Sequence, residues 1–273
     1  MILKHIICYS GGHSSALVAI EAVRKFGAEN CVLLNHDIAS NVEHEDIKRF
    51  KSEVARYLGM PVTYANIHGL SAEELPDQFD VVMQASAFKV GRGTELCTSR
   101  LKTEPFMKWL AENATDKNCI IYYGFDANET ARIQRRIGIL GEQGYRTDYP
   151  LALWKDRTIQ STEEIGINRP LGYTKFKHAN CIGCLKAGKL HWYITYLERP
   201  DIFEKAKRAE EHIGYTIIAS DSMSELEEDF AKLKCAGVTA SEHEDGRTFA
   251  ARAKKVLKTF EDGDFFKPCE CTI

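Results

Sequence analysis

The chain has 273 residues and a formal net charge of −3, so its overall charge does not indicate a nucleic-acid-binding protein. Hydrophobic residues make up 44% of it, and the length suits one large α/β domain with or without a helical appendage. No apolar run approaches the roughly 20 residues of a membrane span, and the run at 2–8 is too short for a signal peptide. We therefore expect a cytoplasmic protein with no membrane partner.

Apolar strand-like runs alternate with helical patterns in the first half of the chain. The predicted elements are strands at 2–8, 31–35, 62–67 and 119–123, and helices at 15–26, 45–58 and 102–113. Residues 80–85 fit either class. This alternation predicts an α/β fold with a doubly wound parallel sheet, in which ligands lie beyond the carboxyl ends of the strands.

The pattern changes after about residue 150. Residues 149–153 and 169–173 have the composition of connecting loops. Four helices are expected after them, at 191–197, 200–213, 224–234 and 248–260. We divide the chain into a ligand-binding domain at 1–150 and a mainly helical region at 151–273.

A glycine turn joins the first predicted strand to the first predicted helix. Its sequence is Ser10-Gly11-Gly12-His13-Ser14-Ser15. The two glycines let the backbone approach a ligand, and the helix offers unpaired N–H groups and the positive end of its dipole. The serines add hydroxyl donors. The turn therefore predicts a cradle for phosphate or sulfate, although an ordinary strand-to-helix turn has the same pattern; it lacks the lysine of a Walker A loop.

Two more polar motifs follow predicted strands. Asp37 follows the second strand, where its carboxylate would accept from a ribose or adenine group, help to hold Mg²⁺, or only cap a turn. Gly124 follows the strand at 119–123 and precedes a basic group of Arg132, Arg135 and Arg136. Arginine forks suit sulfate and phosphate oxygens, and the alternative is a solvated helix face.

The segment 96–105 places Cys97, Arg100 and Lys102 at the start of a predicted helix. Cations there would meet an anionic ligand. A cysteine near a helix N-terminus with neighbouring cations has a lowered pKa. Cys97 is therefore a candidate for thiolate chemistry or metal ligation.

Nine cysteines, with no signal peptide, argue against a disulfide framework. Cys181 and Cys184 form a Cys-x-x-Cys pair, which ligates Zn²⁺ or an iron–sulfur cluster, forms a redox disulfide, or stays as two unligated thiols. Cys97 would be a third ligand. Cys269 or Cys271, in the last five residues, would be a fourth.

Together these motifs resemble the PAPS reductase family of the PP-loop superfamily of adenine-nucleotide alpha-hydrolases. The resemblance runs from about residue 5 to residue 200 and includes a Pro-Leu-x-x-Trp element at Pro150–Trp154. The chain is also similar to the PP-loop sulfur-transfer proteins of DNA phosphorothioation. One departure is Ser14, which stands where ATP-using members usually carry Asp.

The resemblance implies an enzyme that binds an adenine nucleotide (PAPS, APS or ATP) and reduces an adenylated sulfate to sulfite. The nucleotide would be held by a set of turn and rim residues: Ser10, Gly11, Gly12, His13, Ser14, Ser15, Asp37, Gly124 and Arg135. The implied catalytic residues are Cys271 as nucleophile, Lys102 and Arg132 as neutralising cations, and Cys97. Thioredoxin or glutaredoxin would regenerate the thiol.

The resemblance also implies a [4Fe-4S] cluster on Cys181, Cys184 and Cys97, with Zn²⁺ as the alternative. Adenylyl-sulfate reductases have a pair of cysteines where this chain has Cys97 alone, so the fourth ligand, Cys269 or Cys271, stays open. A second function stays open: an ATP pyrophosphatase that uses Mg²⁺ and inserts sulfur from a cysteine desulfurase into an acceptor such as a nucleic acid. A third is a nucleotide-binding regulator without turnover.

Overall fold

The computed structural model describes residues 3–66, 69–90 and 94–261. The strands, in chain order, are β1 Lys4–Cys8, β2 Cys31–Asn35, β3 Val62–Tyr64, β4 Lys89–Val90, β5 Thr94–Glu95, β6 Cys119–Tyr122 and β7 Arg146–Asp148. The helices are α1 His13–Phe26, α2 Glu45–Tyr57, α3 Gln78–Ala85, α4 Leu96–Thr98, α5 Glu104–Asn113, α6 Thr130–Gly141, α7 Pro150–Leu153, α8 Lys189–Glu198, α9 Pro200–Ile213, α10 Met223–Cys235 and α11 Gly246–Glu261.

The chain divides into two compact units that alternate along the sequence. The first unit comprises residues 1–75 and 100–172, and the second comprises residues 76–99 and everything from 173 onward. The first contains the parallel sheet. The second contains the β4–β5 hairpin and helices α3, α4 and α8–α11.

The sheet of the first unit has five strands in the order β3-β2-β1-β6-β7, and every neighbouring pair is parallel. Successive residues of β1 point to opposite faces of the sheet. Ile7 packs with Leu33 and Phe50 on one face, whereas Ile6 packs with Leu34 and Leu110 on the other. Both faces are therefore apolar, as expected of a parallel sheet covered by helices. The predicted α/β class with a parallel sheet is confirmed, and the strand order is consistent with double winding.

Local sequence explains where the helices of the first unit begin and end. Helix α1 starts after Gly12 and stops at Gly27, whose φ of +81° suits glycine. Helix α2 buries Ile47, Phe50 and Val54 at helical spacing. The prediction of a loop at 149–153 is wrong, because the chain there makes one helical turn with a proline at its start. Strand β7 was not predicted.

The second unit has an aromatic core between its helices. Trp192, Tyr193 and Phe203 are fully buried, and Phe230 packs against the last two. All four helices expected after residue 190 are present, as α8–α11. The ambiguous segment at 80–85 is helical, because Asp77 and Asp80 form a capping box at the start of α3. Within the described residues, no helix is long and apolar enough to cross a membrane.

Candidate functional site

The carboxyl ends of the parallel strands meet at one edge of the sheet, and the chain changes direction there. It runs from β1 to β2 and β3 on one side, then continues at β6 on the other side of β1. The switch point therefore lies between β1 and β6, the place where such sheets bind ligands. The glycine turn follows β1, and Gly124 follows β6.

Gly124 brings the two loops into contact. A Cβ atom built on it would lie 2.9 Å from the carbonyl carbon of Ser14 and 3.0 Å from the amide nitrogen of Ser15. Only a residue without a side chain fits so close to the first turn of α1. The predicted turn residues and Gly124 are thus neighbours at the switch point.

The N-terminus of α1 is a candidate site for an anion. Gly12 is the N-cap residue, and in the described chain α1 has neither a side-chain cap nor an acidic residue in its first turn. Four N–H groups at a helix start lack an intrahelical acceptor, and the dipole there favours an anion. Within the described residues, the exposed hydroxyl of Ser14 has no hydrogen-bond partner.

Other side chains of the turn have partners within the protein. The Ser10 hydroxyl donates to Ser15 Oγ (3.2 Å), and the Ser15 hydroxyl donates to the Gly12 carbonyl (2.8 Å). His13 Nε2 accepts from the Thr162 amide (3.3 Å), and burial together with the charge of Arg169 lowers the His13 pKa. These bonds shape the turn and keep the His13 imidazole neutral.

A buried ionic cluster lies beneath the turn. The Lys51 ammonium is 3.4 Å from Asp37 Oδ1 and 3.3 Å from Glu43 Oε1, and the lysine side chain is 3% exposed. Its stem passes under Gly11, where an added Cβ would lie 2.9 Å from Lys51 Cγ. Burial raises the pKa of Glu43, and the charge of Lys51 opposes that rise. Sequence reasoning found Asp37 but missed the other two residues.

The Lys51 cluster has a recognisable sequence signal. Lys51 follows Ile47 at i+4 and precedes Val54 at i+3, so it lies on the apolar stripe of α2. A charged residue on such a stripe is buried only with partners. This pattern, together with Asp37 at the end of β2, indicates an internal ion pair.

His36 and Lys102 extend the site beyond β2. Burial, together with the charges of Lys102 and Lys51, lowers the His36 pKa to about 3. Lys102 therefore lies near the end of β2, at the edge where the sequence predicts an anionic ligand. His36 is neutral at physiological pH.

The predicted arginines lie on α6 after β6. Arg132 pairs with Glu129 and lies 4.3 Å from the centre of the Phe125 ring. Arg136 lies over the Tyr123 ring (5.3 Å). Arg135 is exposed and, among the described residues, forms no ion pair or hydrogen bond. The arginines share one helix, and Arg135 is the member whose charge is not engaged within the described chain.

The Cys-x-x-Cys pair lies in the second unit, in a turn before α8. The amides of Gly183 and Cys184 donate to His191 Nε2 (3.1 and 3.2 Å), and the Gln78 amide group donates to the carbonyls of Ile182 and Gly183. His191 Nδ1 lies 2.6 Å from Glu242 Oε1. An Nε2 that accepts two hydrogen bonds fixes a neutral imidazole whose Nδ1–H donates to Glu242.

Three of the predicted cluster ligands, Cys97, Cys181 and Cys184, belong to this unit and are partly buried. Within the described residues, no group of three or more His, Cys, Asp or Glu side chains is arranged to hold a metal ion. Those three cysteines alone do not fit a [4Fe-4S] cluster or Zn²⁺ in this structure. Cys269 and Cys271 lie outside the described residues, so the cluster and the tail nucleophile stay predictions.

Comparisons with known proteins give one relative. A protein of Escherichia phage lambda, named "Uncharacterized nin region protein ORF290", is 27% identical to this chain over 209 residues. The match covers 67% of this chain and 66% of the phage protein, just under two thirds of its length. No family model and no solved structure matches the chain.

Proposed function

We propose that the first unit binds an adenine nucleotide, with its phosphate or sulfate end at the N-terminus of α1. One observation carries this proposal: the first turn of α1 has no cap in the described chain, and Gly124 packs against it at the switch point of the sheet. The amides of that turn, the Ser14 hydroxyl and the positive helix end supply donors and charge for an anion. Lys102 lies near the end of β2 and adds a cation at this edge, and Arg135 on α6 would be a second cation for the anion.

We propose further that the protein acts as a PAPS-reductase-like enzyme. The thiolate of Cys271 would attack the sulfur of an adenylated sulfate. An S–S bond forms, the phosphate–sulfur O–S bond breaks, and the adenosine phosphate leaves with the electron pair. A dithiol protein such as thioredoxin then reduces the thiosulfonate, which yields sulfite, the free thiol and an oxidised dithiol. Lys102 and Arg132 would neutralise the anion.

Binding tests the first proposal. We expect adenosine 5′-phosphosulfate, its 3′-phosphorylated form or ATP to bind the full chain in calorimetry. Gly12→Asp places a carboxylate over the amides of α1 at an N-cap position, where Asp stabilises a helix and repels an anion. The matched variant Gly12→Asn differs only in charge. We expect weaker nucleotide binding by the Asp variant than by the Asn variant, with both variants folded by circular dichroism.

Product analysis then separates the candidate activities. Sulfite release from an adenylated sulfate, lost in Cys271→Ser, supports the reductase. Conversion of ATP to AMP and pyrophosphate supports the sulfurtransferase, and binding with neither product supports a regulator. Equal affinities of the Asp and Asn variants would place the anion elsewhere and contradict the proposed site.

A further inference from the structure

Tyr64 is an exposed aromatic residue at the ligand edge of the sheet. It is the last residue of β3 and pairs in register with Asn35, the last residue of β2. Its side chain is 47% exposed, whereas large apolar rings in this unit, such as those of Tyr9 and Tyr122, are fully buried. A ring on a residue that is about half exposed at this edge is accessible to a planar ligand.

The Tyr64 ring lies against the buried ionic cluster. The Lys51 ammonium is 5.6 Å from the ring centre, within the range of a cation–π contact. Lys51 is itself fixed between Asp37 and Glu43. Burial raises the Tyr64 pKa, with the charge of Lys51 opposing and those of Asp37 and Glu43 adding to the rise, so the phenol is neutral at physiological pH.

The same lysine connects Tyr64 to the glycine turn. Its stem contacts the backbone at Gly11, and its ammonium reaches the Tyr64 ring. One lysine side chain therefore spans from the proposed anion site to the exposed ring. Asp37 follows β2 with a φ of +55° and pairs with the Lys51 ammonium, and its carboxylate is an acceptor for hydroxyl or amino groups.

We propose that Tyr64 forms the base subsite of the nucleotide site, with its ring stacked on the adenine while the first turn of α1 holds the anionic end. Lys51 fixes the distance between the two subsites, and Asp37 faces the ribose or the adenine amino group. Stacking on an aromatic ring is a strong and sequence-tolerant way to bind a base. This inference rests on the proposed function and names the residue that recognises the base.

The test compares a ligand that has a base with one that does not. ADP and pyrophosphate are titrated by calorimetry into the wild-type chain, Tyr64→Ala, Tyr64→Phe and Tyr57→Ala. Tyr57 is the matched control, because it is a 54% exposed tyrosine of the same unit on α2. We expect Tyr64→Ala to bind ADP about tenfold or more weakly, and to bind pyrophosphate like the wild type. Tyr64→Phe keeps the ring and should retain ADP affinity.

Each other outcome is decisive. Unchanged ADP affinity in Tyr64→Ala, or an equal loss in Tyr57→Ala, overturns the base subsite. An equal loss of ADP and pyrophosphate affinity also overturns it, because the residue would then act on the anion site or on folding. A wild-type chain that binds neither ligand contradicts the proposed function itself. A chain that binds pyrophosphate but not ADP contradicts both the subsite and the adenine-nucleotide part of the proposed function, and leaves only the anion site.

Discussion

The two units of the chain differ in the side-chain partners of the backbone N–H groups in their glycine-containing turns. In the first unit, the first turn of α1 begins at Gly12 and, among the described residues, has no cap. In the second unit, the amides of Gly183 and Cys184 already donate to the buried His191. We therefore propose a ligand site at the turn without a side-chain cap and none at the turn whose amides donate to His191. The open turn favours an anion, whereas the satisfied turn holds two thiols in place.

The two units also differ in how their buried charged groups are paired. The buried cation of the first unit, Lys51, has two carboxylates and lies under the open turn. In the second unit, the corresponding partly buried pair is His191 and Glu242, whose Nδ1 and Oε1 atoms are 2.6 Å apart. The predictions below test whether the first arrangement supports a ligand and the second supports only the fold.

The largest expected effect is that of Lys51→Met. The variant keeps the stem under Gly11 but leaves Asp37 and Glu43 buried without their cation, and breaking such a pair costs about 3–5 kcal/mol. Unfolding in urea at pH 8 should show this loss. Because burial already raises the pKa of Glu43, that carboxylate can take up a proton once Lys51 is gone, and the deficit should shrink as the pH falls towards 5. Lys108→Met, at an exposed lysine of α5, is the control; a pH-independent deficit in Lys51→Met would contradict the ionic role.

Gly124→Ala is next. The new Cβ would lie 2.9 Å from the Ser14 carbonyl carbon and 3.0 Å from the Ser15 amide nitrogen, which is closer than van der Waals contact. Overpacking of this kind costs about 1–3 kcal/mol or more. We expect lower stability and loss of nucleotide binding together, measured by thermal unfolding and calorimetry. Gly138→Ala in α6 is the control, because nothing described lies within 4 Å of its added Cβ. Nucleotide affinity that survives Gly124→Ala would show that the two loops do not share one site.

In the second unit, His191→Ala removes the acceptor of two amides and the partner of Glu242. Each buried group left without its partner costs about 1–3 kcal/mol. We expect a loss of about 2 kcal/mol in urea unfolding and faster alkylation of Cys184 as its turn loosens. His178→Ala is the control and should cost far less, because this exposed histidine adds a charge near Glu242 but is not the acceptor of the two amides. A variant as stable as the wild type would mean that water replaces the imidazole.

The smallest expected effect concerns His36 and pH. Its pKa in the folded chain is lowered to about 3 from 6.5, so the unfolded chain takes up the proton first as the pH falls. Its contribution to stability is therefore complete above pH 6.5 and is lost between pH 6.5 and 3. Between pH 7 and 5.5 the loss is about 1 kcal/mol. We expect His36→Gln to flatten this part of the stability profile; parallel profiles would show that His36 is not desolvated.

Most elements of the fold could be predicted from the sequence, and the failures have local causes. Strand β2 and helix α9 have the predicted bounds, because each is a clear apolar pattern between breakers. Strand β7 is only three residues long and carries Arg146 and Asp148, so no apolar run marks it. The alternation of the two units also leaves no composition shift at their boundaries, since residues 76–99 look like the chain around them.

The site could be predicted only in part. The glycine turn and Gly124 follow from the rule that parallel strands end at one edge, and the structure places them in contact. Lys51 and Tyr64 come from α2 and β3, and no spacing in the chain relates them to Gly11. Side-chain partners that depend on packing between elements are not visible in a sequence pattern.

The alternation of the two units has a consequence for synthesis on the ribosome. Residues 76–99 emerge before the first unit is complete, yet their partners in the second unit begin at residue 173. Helix α3 contacts α9, more than a hundred residues later, and its Gln78 bonds to the carbonyl of Ile182. Such distant contacts form slowly. The first unit can therefore fold before the partners of α3 have been synthesised. Until then the apolar face of α3 is exposed, and it is the surface that a chaperone would have to cover.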